Sequence, residues 1–122
     1  FTGLRQGEQL AMSELIVGHT TVALDKDGFL VDLQDWSAPV ASALANREGI
    51  ELGEEHWEVL RLLREFYAEF QLSPATRPLI KYTSLKLGPD KGNSLHLNRL
   101  FNGTPAKLAA KLAGLPKPTN CI

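Results

Sequence analysis

Several features that would define a function class are scarce in this sequence. Its 122 residues include one cysteine, one methionine and two tryptophans, and only 7% are aromatic. A single cysteine excludes an internal disulfide framework and any metal site that needs several thiolates, and it suits a reducing compartment. No apolar run approaches the roughly 20 residues of a membrane-spanning helix, so no membrane partner is expected. The composition is that of one globular domain.

An excess of charge of one sign is also missing. Thirteen basic and 14 acidic side chains give a net charge of −1, so no overall field draws the molecule to nucleic acid. The bases are nevertheless concentrated late in the chain, and from Lys91 to the end there are five bases and no acidic side chain. Two interpretations stay open. This segment is either a solvated face or a positive rim that accepts an anion, an acidic partner or a phosphate backbone.

The beginning of the chain shows no structural pattern. We expect Met12 to be the natural start and the eleven residues before it to derive from an expression vector, with a natural extension as the alternative. Residues 1–13, vector-derived or disordered, are therefore left out of the fold prediction. Residues 14–122 are expected to form a single domain that includes a flexible C-terminal arm, residues 114–122.

The predicted β part is short. Residues 14–33 are rich in β-branched and aromatic side chains and are interrupted by Gly18 and by the run Asp-Lys-Asp-Gly at 25–28. This pattern predicts two or three short strands, with the Asp27-Gly28 pair in a hairpin turn.

Five helices are predicted downstream of the strands. The strongest, GEEHWEVLRLLREFYAEFQ, has acidic residues in its first turn and an apolar stripe made of Trp57, Leu60, Leu63, Phe66, Tyr67 and Phe70. The other four are predicted from cap and stop signals. The first of them begins at Ser37 and stops at Gly49, and the next begins at Ser73-Pro74 and runs to about Leu87. A short helix is capped by Asn93 or Ser94, and the last begins at Thr104-Pro105 and stops at Gly114. The whole predicts a mainly α (α+β) fold, a hairpin followed by an orthogonal, winged-helix-like bundle.

The chain ends in GLPKPTNCI, with its only thiol one residue from the terminus. Pro116 and Pro118 forbid a helix and favour an extended, polyproline-like tail. At roughly 3.1 Å per residue, the seven steps from Gly114 to Cys121 span about 20 Å. We therefore predict that the thiol of Cys121 can enter the cleft of another protein while the domain stays outside.

The tail by itself does not activate this thiol. The thiolate is the reactive form, and a free thiol with a pKa near 8.5 is only a few per cent ionised at pH 7. Lys117 favours ionisation and the terminal carboxylate opposes it, so the two effects nearly cancel. Activation must come from a partner's pocket or from the domain surface. This indicates a carrier rather than an autonomous enzyme.

Other chemistries find less support. His19, His56 and His96 share no metal-ligand spacing, so neither a metal nor a cofactor is expected. A cysteine–histidine hydrolase would need preorganised oxyanion donors, which a mobile tail lacks. The segment 73–101 has the pattern of a helix–turn–helix and is reminiscent of winged-helix DNA binders. A nucleic-acid-binding or redox-regulatory module, with Cys121 as the sensor, is therefore the alternative, and direct nucleic-acid contact stays open.

Several stretches of the sequence resemble the DsrC/TusE family of sulfur-relay proteins from about Val22 to Ile122. They are DKDGFL, DWS, EHWEVLRLLREFY, SPATRPLIK, KGNS, LNRLF, PAK and above all AGLPKPTNCI. The resemblance implies a small helical domain with an N-terminal hairpin and a mobile arm. It also implies that the penultimate cysteine carries sulfur as a persulfide.

One departure assigns the chain to a branch of this family. DsrC proteins of dissimilatory sulfur metabolism carry a second cysteine eleven positions before the penultimate one, where this chain has Ala110. The resemblance is therefore to the single-cysteine, TusE-like branch, and a DsrC-like partnership with a sulfite reductase is a further alternative. This branch implies a TusBCD-like sulfur donor, an MnmA-like tRNA thiouridylase as acceptor, 2-thiouridine as the product, and a cytoplasmic location.

Among the candidate site residues, only Cys121 matches a family position with a chemical role, as the catalytic sulfur carrier. Lys117, Arg99 and Lys111 are our own hypotheses for charge support or partner docking.

Overall fold

Two antiparallel strands and five α-helices make up residues 13–118, the part of the chain that the computed structural model describes. In chain order they are β1 (Ser13–Val17), β2 (Thr20–Leu24), α1 (Ala38–Arg47), α2 (Glu54–Phe70), α3 (Thr76–Leu87), α4 (Ser94–Leu100) and α5 (Pro105–Leu112), with a short 3-10 turn at Leu33–Asp35 before α1. The predicted mainly α fold with an N-terminal hairpin is confirmed. No helix within these residues has the length and hydrophobicity of a membrane span.

The hairpin turn lies earlier than predicted. β1 and β2 pair from Ser13 opposite Leu24 to Val17 opposite Thr20, so the turn is at Gly18, whose φ is +61°. The predicted turn at Asp27-Gly28 does reverse the chain, but only a single bridge between Leu24 and Leu30 follows it. A third strand does not form. Successive side chains of a strand point to opposite faces, whereas Leu30 and the residue before it are both buried in the core.

Most helix caps are as predicted, because they depend on local chemistry. The Ser37 hydroxyl accepts a hydrogen bond from the Val40 amide, and the Asn93 side chain accepts one from the His96 amide. Ser73 is an exception, since α3 begins only at Thr76, and the buried Ser73 side chain faces another part of the chain.

The predicted apolar stripe of α2 is buried in its middle and exposed at its end. Leu60 and Leu63 are buried, whereas Phe70 is 48% exposed and packs on Phe66 with ring centroids 4.6 Å apart. Phe70 is the last residue of α2, where the helix extends past the core. Periodicity alone does not show where a helix leaves its neighbours.

The last helix, α5, is the centre of the core. It packs against α1, α2, α3 and α4, and Ala106, Ala109 and Ala110 are almost completely buried. These small side chains allow the neighbouring helices to approach closely. The C-terminal arm therefore starts from the most enclosed element of the domain.

Gly92 allows the close contact between α3 and the start of α4. A Cβ at residue 92 would overlap the backbone of Ser84 in α3. Because backbone atoms cannot move aside as a side-chain end can, only glycine fits here.

We expect Gly92→Ala to lower the free energy of unfolding by about 1–3 kcal/mol, the usual cost of overpacking. Urea denaturation measures this change. The control is Ser42→Ala, at an exposed position of α1. Equal stabilities of the two variants would contradict the proposed backbone contact.

Candidate functional site at the root of the C-terminal arm

The structure defines the part of the domain from which the predicted sulfur carrier, Cys121, extends. Cys121 itself lies outside the described residues, which end at Pro118. We call residues 112–118 the arm root, because they connect α5 to the last four residues of the chain. Its contacts determine where Cys121 starts from.

Helix α5 ends as the sequence predicts, at Gly114. This residue has a φ of +74°, its amide donates to the Lys111 carbonyl at 3.1 Å, and the Leu115 amide donates to the Ala110 carbonyl at 2.9 Å. This is a Schellman motif, completed by a buried apolar side chain at Leu115, which is 3% exposed. A Cβ at residue 114 would overlap the ring of Trp36, so the position requires glycine for space as well as for conformation.

Trp36 and Arg64 bind the carbonyls at the end of α5. The indole Nε1 of Trp36 donates to the Leu112 carbonyl at 2.9 Å, and Nη1 of Arg64 donates to the Ala113 carbonyl at 2.7 Å. The guanidinium carbon lies 4.0 Å from the centroid of the Trp36 ring, a cation–π geometry. These donors satisfy carbonyls that have no partner within the helix, and the positive charge suits the helix C-terminus. Burial lowers the pKa of Arg64, which remains charged because arginine does not deprotonate in proteins.

The chain stays against the domain after Gly114. The Ser73 hydroxyl donates to the Pro116 carbonyl at 2.6 Å, and Nζ of Lys117 lies 3.6 Å from Oδ2 of Asp27. Leu115 and Pro118 are buried. We expected the tail to be unattached to the domain from Gly114 onwards. For residues 114–118 this expectation is wrong. The two prolines of this segment favour an extended backbone, but side chains and carbonyls of the segment contact the domain.

Attachment shortens the reach of the thiol. If the root stays in place, only the three residue steps from Pro118 to Cys121 remain, about 9 Å at roughly 3.1 Å per step. The 20 Å predicted from the sequence would require release of the root.

The three predicted supporting bases lie in two places. Lys111 and Lys117 both reach the turn at 25–28. Nζ of Lys111 lies near Gly28 in this turn and also 3.0 Å from Oε2 of Glu48, the residue after α1. Arg99 is exposed on α4. The structure thus brings Lys111 and Lys117 to one turn and leaves Arg99 elsewhere.

Sequence reasoning missed the roles of Trp36, Arg64 and Ser73 at the arm root. Their contacts join residues 76, 49 and 43 positions apart along the chain. Helix periodicity and cap signals operate over a few residues and carry no information on such pairs. Ser73 was predicted only as a helix cap, and Trp36 and Arg64 appeared only within DWS and EHWEVLRLLREFY, two of the stretches that carry the family resemblance.

The histidines belong to the framework. His56 Nδ1 accepts from the Gly53 amide at 3.0 Å, so Nε2 carries the proton and donates to the Leu100 carbonyl at 2.9 Å. His96 is buried, with Nε2 3.8 Å from a Glu55 carboxylate oxygen. Within residues 13–118 no three His, Cys, Asp or Glu side chains form a group able to hold a metal ion.

We expect Ser73→Ala to loosen the arm root, because the Pro116 carbonyl loses its donor. A lost hydrogen bond of about 1 kcal/mol raises the equilibrium constant for local opening, and with it the rate of hydrogen exchange at the Leu115 amide, roughly fivefold. Amide exchange followed by NMR measures it. Ser42→Ala, at an exposed position of α1, is the control. Unchanged exchange at Leu115 in the Ser73 variant would show that this contact does not hold the root.

Comparison with known proteins identifies the family. Residues 16–122 match the model of the DsrC-like protein family. The chain is 52% identical over 108 residues to "Sulfurtransferase TusE" of Salmonella choleraesuis, covering 88% of this chain and 99% of the relative. It is 50% identical over the same length to "Sulfurtransferase TusE" of Escherichia coli K12, with the same coverage.

Solved structures agree with this match. The NMR structure of Allochromatium vinosum DsrC superposes with a TM-score of 0.82 at 46% identity, covering 91% of this chain and all of that one. The crystal structure of the oxidized gamma-subunit of the dissimilatory sulfite reductase (DsrC) from Archaeoglobus fulgidus gives a TM-score of 0.79 at 41% identity, covering 90% and 100%. The resemblance drawn from the sequence is confirmed, and the chain belongs to the DsrC-like protein family.

Proposed function

We propose that this protein is a sulfur carrier that accepts sulfur as a persulfide on Cys121 and relays it towards 2-thiouridine in tRNA. The observation that carries the proposal is the position of the only thiol, three residues beyond an arm root that is fastened to the domain. Relatives named sulfurtransferase TusE, about half identical over nearly the whole chain, support it.

The transfer is thiol–persulfide exchange. The Cys121 thiolate attacks the outer sulfur of a donor persulfide, the sulfur–sulfur bond of the donor breaks, and the donor leaves as a thiolate. An acceptor thiolate then attacks the outer sulfur on Cys121 and releases the Cys121 thiolate. Each step forms one sulfur–sulfur bond and breaks one, so no external oxidant or reductant is required.

The absence of a second cysteine protects the loaded state. A thiolate on the same chain could attack the inner sulfur of the persulfide, giving a disulfide and free sulfide. Ala110, where the resemblance places the second cysteine of DsrC proteins, is a fully buried methyl group in α5. This favours a carrier role over a DsrC-like partnership with a sulfite reductase, whose cycle involves both thiols.

The arm root supplies position rather than reactivity. Trp36, Arg64 and Ser73 bind backbone carbonyls of residues 112, 113 and 116 and fix where the last four residues leave. A short tether from a fixed base raises the local concentration of the thiol in a partner's cleft. We therefore assign these three as positioning residues.

The same family resemblance supports a choice of partners and of location. We propose a TusBCD-like complex as donor and an MnmA-like thiouridylase as acceptor, in the cytoplasm, where tRNA is modified. Lys117 lies near Asp27, so the positive charge of Lys117 is shared between the thiol and that carboxylate. Activation of the thiol therefore takes place in the partner's cleft.

We expect Cys121→Ser to abolish sulfur loading with no change in fold. Intact-protein mass spectrometry after incubation with a persulfide donor should show a gain of about 32 Da, one sulfur atom, on the wild-type chain only. Circular dichroism and donor binding of the variant serve as controls. The same mass gain on the serine variant would refute the assignment of Cys121.

A further inference from the structure

Exposed basic and apolar side chains lie on α3 and on α4. On α3, Arg77, Lys81 and Leu85 follow one another at four-residue spacing, which places them on one face of the helix. On α4, Leu95 and Arg99 repeat the pattern. We call these five residues the α3–α4 ridge. Leu85 is 79% exposed and Leu95 75% exposed, the two highest values among the large apolar side chains of residues 13–118.

The two halves of the ridge are held in a fixed relation. Gly92 packs directly on the backbone of Ser84, the residue before Leu85. The Gly92 amide donates to the Gly88 carbonyl at 2.9 Å, and Asn93 caps α4. A preformed surface loses little conformational entropy on binding, which favours a role in recognition.

The ridge is positively charged. Residues 76–100 contain five bases and one acid, Asp90. Nζ of Lys91 donates to Oε1 of Glu58 at 2.7 Å, and this hydrogen bond raises the pKa of Lys91. Arg77, Lys81 and Arg99 make no ion pair with any other residue of the described segment. The ridge itself thus carries three positive charges and no acidic side chain.

The ridge begins beside the arm root. Ser73, which holds the Pro116 carbonyl, precedes Arg77 by four residues. The twelve residues of α3 span about 18 Å at 1.5 Å per residue. A protein bound along α3 therefore lies beside the arm root at one end of the helix, and the length of α3 is within the about 20 Å that the arm covers from Gly114.

We propose that the α3–α4 ridge is the docking surface for the protein that donates persulfide sulfur to Cys121, an inference that rests on the proposed carrier function. The donor surface that fits it is an acidic rim around an apolar depression that receives Leu85 and Leu95. Two exposed leucines add nothing to phosphate binding, so the composition favours a protein over a nucleic acid. An acceptor that holds tRNA needs a basic surface of its own, so the complementary partner is the donor.

Binding of the unloaded chain to the purified TusBCD-like donor complex tests the ridge without any sulfur transfer. We expect Leu85→Ser combined with Leu95→Ser, and separately Lys81→Glu, to raise the dissociation constant at least about tenfold, as for residues at an interface centre. Matched controls are Ile16→Ser, at a residue 74% exposed on β1, and Lys26→Glu, also exposed. Both controls should bind like the wild type.

Sulfur loading separates failure of the ridge from failure of the proposed function. With glutathione persulfide as donor, the ridge variants should load Cys121 at the wild-type rate, because a small donor needs no docking surface. Donor binding unchanged by the ridge variants would overturn the inference, as would a loss confined to the acceptor–tRNA complex. A wild-type chain that binds the donor but takes sulfur from neither source would refute the carrier function and leave the ridge in place.

Discussion

The contact between the Trp36 ring and the backbone of Gly114 decides where the core ends and the arm begins. A side chain at residue 114 would overlap that ring, and the positive φ of Gly114 turns the chain out of α5. Trp36 in turn donates to the Leu112 carbonyl and lies under the Arg64 guanidinium, which donates to the Ala113 carbonyl. One aromatic ring thus couples the 3-10 turn region, α2 and the last turn of α5.

This arrangement gives the arm a rigid starting point and leaves its reach to the residues that follow. α5 is enclosed by four helices, so the start of the arm moves only as far as the core does. From Leu115 to Pro118 the chain is neither helix nor strand and is bound to the domain through Ser73 and Asp27. The last four residues, which include Cys121, then start from a defined point. In the proposed function the domain sets the direction of the arm, and the partner's cleft ionises the thiol.

Local chemistry made much of the fold and part of the site predictable. Ser37, Asn93 and Gly114 act through bonds to residues a few positions away, and the terminal motif identified Cys121. The hairpin turn at Gly18 and the bond from Ser73 to Pro116 were not predictable in this way. The sequence offers two turn signals, at Gly18 and at Asp27-Gly28, and does not show which one joins the paired strands. Local rules assign Ser73 to a helix cap, but its hydroxyl instead donates to the distant Pro116 carbonyl.

The central claim is that the geometry of the arm root governs delivery of sulfur and not its chemistry. The most direct measurement is the single-turnover rate of sulfur transfer to the acceptor by Gly114→Ala and by the wild-type chain, after both have been loaded with glutathione persulfide. We expect equal loading of Cys121 and transfer slowed about tenfold or more in the variant, because a misplaced reacting atom is costly. Equal transfer rates, with the helix content of the variant intact, would contradict it.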